Sequence, residues 1–274
     1  MILALLSSLA LAQDPAYDRT LKAADEAEKP VTNLQAEFGG AFTSGNAFAV
    51  AINGGLKGKH VWKSNQFAFG AGINLNMAKV DANGDGTLDD AERAQKLTFT
   101  SQRVFGMARY DRFFGKLNSL YVSAGGERDP FAGLLWRFNE QIGYRRVLVA
   151  TKPTDLDLEI GLAYTEENFS TGADADGNPI NDKILDAHYL GARIYISFEH
   201  RFNDTVALGD NVEMIENLFT PADFRLVNNA YLTAKLSDKF SIRLSHRLAF
   251  DNLPVEGFRP LDQTTQLTLV ASIF

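Results

Sequence analysis

The most regular alternation of apolar with polar or small residues in this chain covers residues 66–77. Odd positions from Phe67 to Met77 are apolar, whereas the even positions hold glutamine, alanine, glycine or asparagine. A period of two is that of a β-strand, whose successive side chains point to opposite faces. Strands of soluble proteins usually have about five or six residues, whereas a strand that crosses a bilayer needs roughly 9–11. The stretch is therefore predicted to be a strand of a membrane barrel with a wet interior.

The same alternation recurs from Asn33 onward, interrupted by turns. It predicts an all-β fold, a transmembrane antiparallel up-and-down β-barrel of twelve strands within residues 33–274. The even-numbered connections are short, and three odd-numbered ones are long, at residues 80–95, 166–187 and 251–261. Outer-membrane barrels have short periplasmic turns and longer external loops. This sorting of loop lengths favours an outer-membrane barrel over a soluble β-sandwich.

The alternation also assigns each strand residue to a face. The apolar face is predicted to contact lipid at Phe67, Phe69, Ile73, Leu75, Leu158, Ile160, Leu162, Ile194, Ile196 and Phe198. Charged residues of the opposite phase are predicted to face the lumen, at Asp157, Glu159, Arg193, Glu199, Arg243 and Arg247. Residues 97–111 have an unclear phase, because Arg103 and Arg109 share a face with Phe105 and Met107. We expect a β-bulge in that strand.

The first residues have the composition of an export signal. Residues 1–12 are apolar or small and end in Ala10-Leu11-Ala12, an A-x-A-type cleavage site. A basic n-region is missing, and a buried N-terminal strand is the alternative interpretation. Residues 13–32 are predicted to form a periplasmic lead-in with a short polar helix that Pro30 stops. Export through the inner membrane agrees with a location in the cell outer membrane.

Composition excludes several kinds of site and partner. The 274 residues include no cysteine, which excludes disulfides and cysteine-ligated metals, and no apolar run is long enough for a transmembrane helix. A net charge of −7 without a basic patch argues against a nucleic-acid partner. The 20 phenylalanines and 22 glycines fit aromatic girdles and closely packed strands.

Several segments resemble a known family. They are Thr43-Ser44-Gly45-Asn46, Arg109-Tyr110-Asp111-Arg112-Phe113-Phe114, Leu120-Tyr121, the stretch 126–134 and the terminal Phe274. The most specific is Glu127-Arg128-Asp129-Pro130-Phe131-Ala132-Gly133. Together they resemble the YdiY-like salt-induced outer-membrane proteins, domain-of-unknown-function family 481. The resemblance implies an outer-membrane β-barrel and brings no assigned activity. Two features depart from it: the chain lacks an aromatic residue two positions before Phe274, and the loop at 80–95 is an insertion.

That insertion contains the sharpest local motif. Residues 81–92 match the calcium-loop pattern D-x-[DN]-x-[DN]-G-x₅-E at every defined position. The predicted Ca²⁺ ligands are Asp81, Asn83, Asp85, the Thr87 carbonyl, Asp89 through a water, and Glu92 with both oxygens. A solvated acidic loop is the alternative, and the setting is unusual because a strand precedes the motif. The loop 174–182 is similar, but its glycine is misplaced and no glutamate closes it, so we interpret it as a plain acidic loop.

Two classes of function remain open. The barrel is structural or a narrow pore, in which the lumen arginines either favour anions or form ion pairs that fill the interior. The arginines concerned are Arg103, Arg109, Arg193, Arg243 and Arg247. The alternative is a calcium-dependent outer-membrane lipid hydrolase, which needs serine and histidine together on the lipid-facing surface. Ser245 and His246 point to opposite faces, and the sequence contains no zinc-protease spacing, so no enzymatic activity is predicted. Lipid and lipopolysaccharide are the expected partners, and the oligomeric state stays open.

Overall fold

The protein folds into a closed antiparallel barrel of twelve strands. The structure, a computed structural model, describes residues 30–44, 48–79, 81, 88–170, 184–254 and 259–273. The strands are β1 (Val31–Thr43), β2 (Ala49–Trp62), β3 (Asn65–Ala78), β4 (Thr98–Phe113), β5 (Asn118–Asp129), β6 (Leu134–Ala150), β7 (Thr154–Ser170), β8 (Ile184–Arg201), β9 (Val206–Asn217), β10 (Phe224–Lys235), β11 (Phe240–Asp251) and β12 (Leu261–Ser272). A short helix, α1 (Asp90–Ala94), precedes β4, and a 3₁₀ turn (Pro130–Ala132) follows β5. Each strand pairs with its sequence neighbours, and β1 pairs with β12, which confirms the predicted topology. The predicted signal segment and lead-in helix lie outside the described residues.

Loop lengths differ between the two ends of the barrel. At one end the turns are 63–64, 114–117, 151–153, 202–205 and 236–239, none longer than four residues. The longest connections, 79–97, 171–183 and 252–260, are all at the other end. By the rule for outer-membrane barrels the short-turn end is periplasmic and the long-loop end external.

One predicted loop boundary was wrong. The loop expected at 166–187 is shorter, because β7 and β8 stay paired as far as Ser170 and Ile184. The outward side chain of Glu166 is exposed on this extension. Strands that project beyond the hydrocarbon can carry outward polar residues without a desolvation cost, so apolar alternation marks where the lipid band ends and not where the strand ends.

The two faces of the wall are as predicted. All ten residues assigned to lipid point outward, and the contrast between neighbours is sharp: Ile160 is 53% exposed and Glu159 0%. An apolar exterior around a charged interior is the arrangement of an outer-membrane β-barrel. Among the described residues, no helix has the length and apolar character that crossing a membrane would require.

The expected bulge in β4 lies nearer the external end than predicted. Asn76 pairs with Ser101 and Met77 with Phe99, which leaves Thr100 as the extra residue. The stretch from Arg103 to Arg109 is regular, so Phe105 and Met107 point into the lumen beside the arginines. Glycine opposite them makes the room, because a Cβ on Gly72 would lie 2.5 Å from the Phe105 ring.

Candidate functional site in the barrel lumen

A layer of buried ion pairs lies in the lumen along β4, β6, β7 and β8, in the periplasmic half of these strands. We define the ion-pair layer as Arg109, Asp111, Arg145, Asp157, Glu159 and Arg193, three cations and three anions whose side chains are at most 4% exposed. Nη2 of Arg109 donates to both Asp111 and Glu159, at 2.8 Å each. Nη1 of Arg193 donates to the second oxygen of Glu159 at 2.8 Å. Because a buried unpaired charge costs several kcal/mol, this mutual pairing is what allows the layer to be dry.

Tyr121 of β5 supports the layer from inside. Its ring lies 4.0 Å from the Arg109 guanidinium, and its hydroxyl accepts from Nη1 of Arg193 at 2.7 Å. To reach β8 from β5 the side chain must cross β6 and β7, which place Gly143 and Gly161 in the same row. A Cβ on these glycines would lie 2.6 and 2.9 Å from the Tyr121 hydroxyl oxygen. Two glycines therefore make the space for one tyrosine.

Uncharged residues fill the lumen beside β2, β3 and β12. They are at most 2% exposed and comprise Asn53, Asn74, Asn76, Gln266 and Thr268. These residues and the ion-pair layer are two buried parts of the lumen. The predicted pairing of lumen charges is confirmed for Arg109 and Arg193, which both pair with Glu159, and Arg243 pairs with Glu37 at 2.8 Å. Glu199 pairs with Arg201, nearer the periplasmic end.

Above the layer, toward the external end, the lumen opens into a cavity of about 250 Å³. We call it the arginine chamber, because its wall contains Arg103, Arg137, Arg225 and Arg247. A chain of alternating charges follows this wall: Arg103, Glu127, Arg137, Glu167, Arg225 and Asp251, with successive contacts of 2.5–2.9 Å. The contacts link β4, β5, β6, β7, β10 and β11, so the chain stiffens much of the mouth.

The chamber keeps unused hydrogen-bonding groups. Within the described residues, Nη1 of Arg103, Nε of Arg247 and Oδ1 of Asn229 have no hydrogen-bond partner. All three residues line the cavity, as do two carboxylates, Glu127 and Glu213, against four arginines. Two arginines of the wall, Arg103 and Arg247, therefore keep unpaired guanidinium donors. Such donors bind carboxylate or phosphate oxygens well.

The predicted calcium ligands are only partly described. Asn83, Asp85 and Thr87 lie outside the described residues, as does the acidic loop 174–182. Asp89 and Glu92 form a reciprocal cap at the start of α1: Asp89 accepts from the Glu92 amide at 2.8 Å and Glu92 from the Asp89 amide at 3.0 Å. No cluster of three metal-binding side chains occurs within the described part of the chain. The calcium site stays a prediction.

Three histidines lie on the outer surface, each hydrogen-bonded to a threonine of the neighbouring strand. The pairs are Thr32–His60 at 2.8 Å, Thr154–His200 at 2.8 Å and His246–Thr265 at 2.9 Å. Ser245 faces away from His246, as expected from their adjacency. Across the described residues, no serine lies beside a histidine in the arrangement a lipid hydrolase needs.

Sequence reasoning missed several residues of the chamber wall and its chain of alternating charges, above all Arg137, Arg225 and Glu167. The available signal was their phase: each alternates with an outward apolar or amide neighbour in β6, β10 and β7. That signal places a side chain in the lumen but does not pair it with another strand.

Comparisons with known proteins give one family and several distant structures. The family model described as "Protein of unknown function, DUF481" matches residues 36–273. No sequence among the curated proteins matches. The translocator domain of autotransporter NalP from Neisseria meningitidis is similar at 12% identity and TM-score 0.47, covering 92% of this chain and 91% of that one. The NanC porin has 12% identity and TM-score 0.43, covering 87% and 97%. The Pseudomonas putida toluene transporter TodX has 8% identity and TM-score 0.39, covering 89% of each chain. Each similarity is too distant to carry a function to this chain.

Proposed function

The chain belongs to the DUF481 family, whose description assigns no activity, and we propose that it is a non-enzymatic outer-membrane barrel that acts as a narrow, anion-preferring pore. The observation that supports this is the arginine chamber directly above the ion-pair layer. The chamber is a water-accessible site with spare cationic donors. We infer that the buried ion pairs of the layer, which lie below the chamber, close the axial path.

The same geometry sets the expected conductance. An open porin needs a lumen wide enough for hydrated ions, and barrels of about 16–18 strands provide one. Here the wall has twelve strands, and the side chains of the ion-pair layer are almost fully buried. Ions can pass only while the layer rearranges, which breaks buried charge contacts. Rare, small openings are expected, with anions concentrated at the entrance by Arg103 and Arg247.

Single-channel recording in planar bilayers under a salt gradient tests the proposal. The parent protein should give small conductance steps with an anion preference. Arg103→Gln/Arg247→Gln should keep the step size and lose the preference. Arg112→Gln, which changes an exposed arginine of β4, is the matched control. A large unselective conductance would contradict closure by the layer, a cation preference would contradict the role of the chamber, and no conductance at all would favour a purely structural barrel.

We also propose that residues 81–92 bind one Ca²⁺ at the external rim. The support is the complete sequence motif, and a loose site with a dissociation constant on the order of 10⁻⁴–10⁻³ M suffices outside the cell. The ion would stiffen the rim or bridge to anionic lipopolysaccharide, and the barrel should fold without it because no strand depends on the loop.

Isothermal titration of refolded protein distinguishes binding from a solvated acidic loop. Asp85→Ala removes a predicted ligand and leaves the Asp89–Glu92 cap of α1 intact, so it is a cleaner variant than Glu92→Ala. Asp90→Ala, which removes a nearby charge outside the ligand set, is the control. Calcium uptake should be lost in Asp85→Ala and kept in Asp90→Ala. Equal uptake by parent and Asp85→Ala would show that the loop binds no specific ion.

The lipid hydrolase has no supporting geometry, and purified protein should release no fatty acid from phospholipid. Calcium-dependent release that His60→Ala, His200→Ala or His246→Ala abolishes would overturn this expectation, because each of these outward histidines bonds to a threonine hydroxyl.

A further inference from the structure

The seam between β1 and β12 differs from every other strand pair in the barrel. Pairing joins residues 35–38 of β1 to 269–272 of β12 at the periplasmic half, and the Ile273 amide next to this segment donates to the Leu34 carbonyl at 2.8 Å. Above them, 39–43 and 261–268 pair with β2 and β11 and not with each other. We call this unpaired external half of the boundary the upper seam. In hydrocarbon, unpaired backbone groups cost several kcal/mol each, so an unpaired stretch in a membrane wall calls for a functional explanation.

The two strands still touch along the upper seam. A Cβ on Gly39 would lie 3.0 Å from the Leu267 carbonyl and would overlap the side-chain oxygen of Asn53. Glycine therefore permits close approach of β1 and β12 where the ladder stops. A boundary in contact but without ladder hydrogen bonds needs less energy to part than any other boundary in the wall.

Unpartnered amides lie on the lumen side of this boundary. Both side-chain polar atoms of Asn53 and of Gln266 lack hydrogen-bond partners within the described residues. The two residues are 0% and 2% exposed. A buried polar atom without a partner is unfavourable, because it has lost its hydrogen bonds to water and gained none in exchange. Four such atoms beside an unpaired boundary form a polar lining that a bound head group would satisfy.

Polar residues also mark the lipid side. Asp210, His246 and Thr265 face outward in one register row of β9, β11 and β12, and apolar Ala230 of β10 lies in the same row between Asp210 and His246. Asn228 donates to Asp210 at 2.5 Å, and His246 bonds to Thr265 at 2.9 Å. Polar side chains that face hydrocarbon are expensive and mark functional sites. The row ends at β12, on the edge of the upper seam.

We propose that the upper seam is a lateral portal for an amphiphile, a molecule with a polar head and an apolar tail. The head group passes from the outer polar row between β1 and β12 to Asn53 and Gln266, while the tail stays in the lipid. This goes beyond the anion-preferring pore and does not depend on it.

A strap limits the portal to the external half. Glu37, in the paired segment just below Gly39, accepts from Lys57 of β2 and Arg243 of β11, both at 2.8 Å. The contact with Arg243 crosses β12 on the lumen side, so Glu37 ties the closing strands together. The periplasmic half thereby stays shut while the upper seam parts.

Because the chain has no cysteine, engineered pairs can lock the seam at chosen heights. Gly40→Cys/Leu267→Cys locks the upper seam, and Ala36→Cys/Ala271→Cys, between register partners in the paired segment, is the matched control. Both are reconstituted in phosphatidylcholine vesicles with a lysophosphatidylcholine that carries a photoactivatable group near its head. Reduced protein should be labelled at peptides containing Asn53 or Gln266. Oxidation should abolish that labelling in Gly40→Cys/Leu267→Cys and leave it unchanged in the control. Reduction should restore the labelling.

Three results would overturn the portal. One is labelling of Asn53 and Gln266 that oxidation of the upper lock leaves unchanged, and another is labelling confined to outward residues. The third is a disulfide-linked dimer formed by the upper pair, which would show that this edge pairs with a second copy. If the variants fail to fold, hydrogen exchange of the parent in the same vesicles decides. Amides of 39–43 that point toward β12 should exchange faster than those of 35–38, and equal protection contradicts the proposal.

Discussion

The wall formed by β7 and β8 and the seam formed by β1 and β12 show how unevenly one barrel can be closed. β7 pairs with β8 along all 17 of its residues, and Arg193 of β8 anchors the ion-pair layer to Glu159 of β7. β1 pairs with β12 over four residues, and uncharged amides lie behind the boundary. Charge pairing is concentrated where the ladder is complete. The difference indicates that the axial path through the lumen is closed more strongly than the lateral path between β1 and β12.

Removal of one charge from the wall formed by β7 and β8 is the strongest test of this comparison. Arg193→Ala leaves Glu159 buried with fewer partners, and breaking a buried pair costs roughly 3–5 kcal/mol. The free energy of unfolding in lipid vesicles should fall by that amount in urea titrations. Arg146→Ala is the control, since this exposed arginine donates to Asn118 and a surface contact contributes about 1 kcal/mol at most. Similar losses in both variants would show that the layer does not stabilise the wall.

A lipid-facing charge probes the outer surfaces of the same two regions. Ile160→Arg on β7 should cost roughly 2–4 kcal/mol if the residue is near the bilayer midplane. Leu267→Arg on β12 should cost less, because the polar row and the unpaired carbonyls beside it can accept hydrogen bonds from the guanidinium. The two side chains are comparably exposed, at 53% and 62%. Equal folding free energies relative to the parent, measured in vesicles, would remove the distinction between wall and seam.

The ion-pair layer also depends on the space that Gly143 leaves for the side chain of Tyr121. Gly143→Ala puts a Cβ 2.6 Å from the Tyr121 hydroxyl and 2.5 Å from the Ile160 carbonyl, and overpacking of this kind costs about 1–3 kcal/mol. The side chain of Tyr121 would have to leave Arg193. At Gly54 of β2, near the seam, a Cβ would meet its nearest neighbour at 3.9 Å, so Gly54→Ala should be nearly neutral. Urea midpoints of the two variants give the measurement, and a neutral Gly143→Ala would show that the tyrosine is not held in place.

The sequence predicted the wall formed by β7 and β8 better than the seam between β1 and β12. Period-two alternation placed Glu159 and Arg193 inward and Ile160 outward, because each depends only on local phase. It could not predict that Arg109 of β4 reaches Glu159 of β7, since that contact depends on how twelve strands close and on glycines that let Tyr121 cross.

The seam left no signal in the alternation at all. Residues 39–43 and 264–268 alternate as regularly as other strands, and register at closure is a property of the whole barrel. For the predicted calcium site, in contrast to the seam, the sequence carries a clear signal. Their motif is complete in the sequence, while Asn83, Asp85 and Thr87 lie outside the described residues, so the site remains testable only by binding.

The smallest expected effect comes from loosening the strap beneath the portal. Glu37→Gln keeps the shape and one acceptor but removes the charge that Lys57 and Arg243 share. These cations retain 18% and 15% side-chain exposure and can be hydrated, so the stability loss should be only about 1 kcal/mol. Hydrogen exchange should respond more than the urea midpoint, because amides of 35–38 that point to β12 lose the contact that holds them. Lys235→Gln, which removes an exposed contact to Asp238 at the periplasmic turn after β10, is the control. If Glu37→Gln raises exchange no more than Lys235→Gln does, the paired segment of the seam is held by its backbone ladder and Glu37 is not a strap.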